Sequence, residues 1–145
     1  MLVDNDKPTD PGVIATHQAA GGRHIQWETG RATEHELFLS LDDTGVNALI
    51  ARAVTLHGQE SVADSIRICS GGAFTLNGIQ GEALSNGFQP NVRQLLGDVA
   101  HKSRWFKQQG IFEGIARDIV GPRFAQASPG FQQHMNNLFG WAHEH

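Results

Sequence analysis

Cys69-Ser70-Gly71-Gly72 is the place in this chain where a nucleophile stands beside a glycine-rich turn. A thiolate there could attack an acyl centre while backbone N–H groups of the turn hold the oxyanion. It needs a base, which His24, His57 or His101 could supply, and an orienting carboxylate, for which Glu28 and Asp98 are the candidates. Two arguments stand against it. Thiols are usually activated at a helix N-terminus, and no helix is expected after Gly72. A free cysteine is also, by default, a small buried hydrophobe.

Eight histidines invite a metal reading, but the sequence has no HExxH and no i, i+4 histidine pair. His143-Glu144-His145 is a close run at the end of the chain, without the three or four converging ligands that zinc requires. No metal and no cofactor are expected. Asp42-Asp43 and Glu34/Glu36 are paired carboxylates. The first pair has a sufficient role at a helix start, and the second flanks His35 where a loop is expected to enter a strand.

His101-Lys102-Ser103-Arg104-Trp105-Phe106-Lys107 is the basic-aromatic cluster. On a continuous helix Arg93, Arg104 and Lys107 share one face, and with Trp105 they could grip an acidic partner or a phosphate backbone. The alternative is a solvated face whose aliphatic stems cover the core. Trp27 is a further candidate contact anchor. Ser70-Gly71-Gly72 and Gly21-Gly22 lack the lysine and the strand-turn-helix setting of nucleotide loops.

Residues 1–12 hold little to bury and are expected to form a flexible arm. Residues 13–145 then form one domain, strand-rich over 13–88 and helical over 90–143. Arg23–Glu28 and Glu36–Leu41 alternate with period two and predict strands. Asp42, Asp43 and Thr44 offer cap oxygens to a helix whose apolar residues Val46, Leu49, Ile50, Ala53 and Val54 share a face, and Gly58 stops it. Ser65–Cys69 and Ala73–Leu76 read as strands, and Asn77-Gly78 as a hairpin turn leading to Ile79–Leu84. From Pro90 three apolar stripes predict helices, ending at Gly110, at Gly121-Pro122 and near the C-terminus, the last starting at Ser128-Pro129. The expected fold is α+β: a small, mostly antiparallel sheet with one crossing helix, packed against C-terminal helices.

The chain has 145 residues, enough for one core without disulfides or a structural metal. A single cysteine excludes a disulfide framework. Lys and Arg total 11 against 15 Asp and Glu, a formal charge of −4, which argues against broad nucleic-acid or anionic-membrane binding. The start, MLVDNDKPTDPG, has no apolar h-region, and no apolar run reaches bilayer length. A cytoplasmic protein is expected, with signal-independent export left open. The expected function is a non-enzymatic protein-binding module: an inhibitor, an immunity-type neutraliser, an adaptor, or a bacterial or phage accessory. Its loops at 70–72 and 77–87 are the expected contact surface. The alternative is a small hydrolase or transferase built on Cys69 with His101 or His24.

Overall fold

Asp42 and Gly58 bracket a helix as the sequence requires: the Asp42 carboxylate accepts the Gly45 N–H at 3.0 Å, and Gly58 turns the chain at φ 86°. Around that helix the computed structural model describes residues 2–28 and 30–144. In order these are β1 (Leu2–Val3), α1 (Pro11–Ala19), β2 (Ile25–Gln26), α2 (Thr33–Ser40), α3 (Asp43–His57), α4 (Gln59–Cys69), α5 (Leu76–Asn86), α6 (Pro90–Lys102) and α7 (Ile111–Ile115). After α7 the chain widens into a π-helical turn (Ala116–Val120), tightens through α8 (Gly121–Arg123) and a 3-10 turn (Phe124–Gln126), and ends in α9 (Pro129–Glu144). His145, the last of the terminal histidine run, lies outside the described residues.

The fold is nearly all-helical, which overturns the expected α+β class. Among the described residues the sheet is one parallel pair, with Leu2 opposite Ile25 and Val3 opposite Gln26. Glu36–Leu41 lies in α2, because that helix is enclosed on nearly every side: Glu34, His35, Glu36, Leu37, Phe38 and Ser40 are all buried. A helix without a wet face shows no 3.6-residue period. Ser65–Cys69 is the second half of α4, whose buried Val62 and Ile66 stand four residues apart. Gly58 ends α3 and opens α4 with no linker between them. The Asn77-Gly78 signal is overridden by Thr75, whose hydroxyl accepts the Gly78 N–H at 3.1 Å and starts α5. The loop expected at 77–87 is therefore mostly helix.

α2 is the axle of the molecule. Its broadest contact is with α6, and α3 and α9 also pack against it. The approach to α6 is close at Gly97, where a β-carbon would sit 2.8 Å from the His35 Cα. One continuous core runs from Trp27 through Phe38, Leu49, Ile66 and Leu96 to Trp105, Phe106 and Phe131.

The N-terminal residues form a strap over α2. The Asp4 carboxylate accepts from the Thr33 N–H at 2.6 Å and from its hydroxyl at 2.7 Å, so it caps α2 from a distance. Asn5 exchanges backbone hydrogen bonds with Gly30 and Arg31, and its amide donates to the Trp27 carbonyl. Over residues 2–6, then, the segment expected to be a flexible arm is tied to the fold. Among the described residues no helix is long and apolar enough to cross a membrane.

Candidate functional site

Two features meet at the N-terminus of α2: an ionic node toward α6 and an apolar cleft toward α9. The node begins with Glu34, fully buried, whose carboxylate would be prohibitively costly alone. Lys107 Nζ lies 3.0 Å from Glu34 Oε1, an ion pair without directed hydrogen-bond geometry. His101 Nδ1 lies 3.4 Å from Glu34 Oε2, and its Nε2 lies 3.3 Å from Asp6 of the strap. His35 stands one residue on, its ring 5.6 Å from that of His101. Its Nδ1 accepts the Ala32 N–H at 3.1 Å, so the ring proton sits on Nε2 and is donated to Asp98 Oδ1 at 2.8 Å. Both ring nitrogens are thus committed. Glu36 is buried as well and receives Arg31 and the Ser40 hydroxyl.

The cleft holds about 250 Å³ and is open on one side. Leu2, Trp27, Thr33 and Leu37 form one wall, Phe112 and Ile115 with Ala116 and Val120 of the π-helical turn a second, and Phe131 and Met135 of α9 the third. Trp27 stacks on Phe131 with ring centres 5.8 Å apart and planes 10° from parallel. Its indole N–H donates to Thr33 Oγ1 at 3.0 Å, and that hydroxyl donates on to Asp4. The walls are therefore almost wholly apolar, and their polar atoms face one another. The wide turn is held to α3 by Arg52, which donates to Asp118 at 3.1 Å. Such π turns recur at functional sites, where they re-aim side chains.

The residues singled out from sequence fall at separate places. Cys69 closes α4, half-buried against the core, and among the described residues its thiol has no hydrogen bond to a histidine. His24 precedes β2, and among the described residues both of its ring nitrogens are out of water without a hydrogen-bond partner. Glu28 is exposed and pairs with Arg31 at 3.1 Å. His101 and Asp98 both lie on α6 at the node, but each serves a different side chain of α2. No Cys–His–carboxylate set is assembled from these five. Among the described residues no three His, Cys, Asp or Glu side chains converge to hold a metal ion.

Nor do Arg93, Arg104 and Lys107 form a stripe, because α6 ends at Lys102. Arg93 is structural: it donates to the carbonyls of Phe38 and Leu41 at the end of α2, to that of Phe88, and to Asp43 at 2.7 Å. Arg104 is exposed in the left-handed turn after α6, at φ 56°. Trp105 is buried beside Phe38 and Phe106, with its carbonyl 2.7 Å from His57 Nε2. Trp27 alone of the binding candidates lines the cleft. Sequence reasoning missed Glu34 as a buried charge and missed the cleft itself. The one available signal was Glu34-His35-Glu36 set directly against Leu37-Phe38. The cleft left none, since its walls come from five segments.

Compared with known proteins, the chain matches no family model, no curated protein and no solved structure.

Proposed function

We propose that this chain is a small non-enzymatic protein-binding module, of the inhibitor, immunity-type or adaptor kind, that grips its partner through one apolar side chain seated in the Trp27–Phe131 cleft. The cleft carries this reading. A cavity of about 150 Å³ suffices for a benzene ring, whereas pockets for drug-sized ligands start near 300 Å³. At about 250 Å³ the cleft suits a single aromatic or branched aliphatic side chain. Apolar walls without free polar atoms give such an anchor little to orient by, which fits burial of a hot-spot residue better than positioning of a reacting group. Several of the side chains that could do chemistry are committed to the fold, as at Glu34, His35 and Arg93.

The test is affinity capture from the native host with two baits, the wild type and Ala116→Phe, which fills the cleft from its exposed rim. A partner held by the wild type and lost by the variant, at equal melting temperature, is the expected result. A partner held equally by both removes the cleft from the function.

A further inference from the structure

The helix that walls the cleft also carries a plug of the right chemistry. In α9 the residues Phe131, Met135, Leu138, Phe139 and Ala142 share one face by helical spacing. Phe131 is buried and Met135 lines the cleft. From Asn136 on, no described residue of the helix is buried, and Phe139 is 53% exposed. The apolar face thus runs out of the cleft and continues, among the described residues, half-buried at Leu138 and exposed at Phe139 and Ala142.

The charge pattern bears on what could cover it. Between Arg123 and Glu144 the sequence holds no Asp, Glu, Lys or Arg, although the chain as a whole is acidic. A face meant for a basic partner would carry carboxylates. A face that meets its own copy across a two-fold axis does best with no charge at all, since like charges repel there.

We propose that the cleft is occupied by Phe139 of a second copy of this chain. The inference rests on the reading of the cleft as a seat for one apolar side chain. Two α9 helices pack antiparallel across a two-fold axis near residue 137. In that register residue 139 of one copy lies opposite residue 135 of the other, at the cleft wall. The exchange is reciprocal, so one contact fills two clefts. It buries the exposed half of α9 on both sides and leaves Gln133, on the far face, in water. A heterologous protein partner would then compete with self-association for the same seat.

The experiment is light scattering coupled to size exclusion on the full chain over a concentration series. Wild type is compared with Phe139→Ser and with the cleft-filling Ala116→Phe. Leu138→Cys and Gln133→Cys are made separately in a Cys69→Ser background for mild oxidation. The expected result is a wild-type dimer whose dissociation constant rises at least about tenfold in both the plug and the cleft variant, with melting temperatures held. The 138 cysteine crosslinks and the 133 cysteine does not. A wild type that is monomeric throughout overturns the second copy as occupant, and so does a dimer indifferent to both variants. Quenching of Trp27 by a peptide bearing 4-nitrophenylalanine, measured in a Trp141→Phe background on Phe139→Ser and on the doubly substituted Phe139→Ser/Ala116→Phe, separates the two ideas. Quenching abolished by the filled cleft keeps the cleft reading even where self-association fails. Quenching absent from Phe139→Ser removes the cleft reading as well.

Discussion

A carboxylate with no exposure to water holds its place only while its cation does. Glu34 is that carboxylate, and Lys107 is the full charge nearest to it. Glu34 is buried while Lys107 is partly in water, so removing the lysine leaves a buried carboxylate short of its cation, whereas replacing both by neutral groups is often close to neutral. We expect Lys107→Met to cost about 1–2 kcal/mol in denaturant unfolding, less than for a pair buried on both sides, and Glu34→Gln/Lys107→Met to recover most of it. Additive losses in that cycle would mean that the pair does not interact. Asp42 contributes to the acid limb of stability. The hydrogen bond from Arg123 holds its carboxyl below the ordinary range, against burial, which pushes it up, and the Gly45 N–H adds to the lowering. A depressed folded-state value stabilises the fold above the unfolded value, near 3.9, and that contribution drains away as pH falls through the range below about 5. Asp42→Asn keeps the cap and loses the charge. Its stability between pH 5 and 3 should therefore fall less steeply than that of the wild type, and parallel curves would assign the acid limb elsewhere.

At the scale of elements, the legible helices were those with one wet face and a punctuated end. Asp42 and Gly58 delimit α3, and Ser128-Pro129 opens α9, where the Ser128 hydroxyl accepts the Phe131 N–H. α2 was not legible. Its alternation of Leu37, Leu39 and Leu41 imitates a strand, but Phe38 between them is fully buried. Its cap and its last carbonyls are satisfied by Asp4 and Arg93, which lie 29 and 55 residues away from their partners Thr33 and Phe38. Local patterns cannot show a helix whose ends are completed by the rest of the chain. The same holds for the node and the cleft, whose residues are neighbours only after α2 is in place. The seam that fixes α2 is Gly97, and a methyl group there must displace backbone. Gly97→Ala should cost about 1–3 kcal/mol despite its better helix propensity. A stabilised variant in thermal unfolding would show that α2 and α6 are not held at this spacing.

For the whole molecule the consequential piece is the strap, because it touches both features of the site. Leu2 contributes to the cleft wall, Asp4 caps α2, and Asp6 reaches His101 at the node. The two ends of the strap are thereby coupled through one helix terminus. Loss of the Asp4 carboxylate orphans the Thr33 N–H and frees the hydroxyl that orients the Trp27 indole. A lost cap costs about 1 kcal/mol, and we expect that for Asp4→Ala in global unfolding. The larger response should be local. Amide exchange should quicken in the first turn of α2 and along residues 2–6 before the core is affected, since such segments open independently of the whole. Trp27, no longer tethered, should emit at longer wavelength as water enters the cleft. Unchanged exchange at Thr33 with unchanged emission would show that α2 starts without the strap. The cleft would then be shaped by Trp27, α2, α7, the π-helical turn and α9 without the strap, which would be a cover rather than a wall.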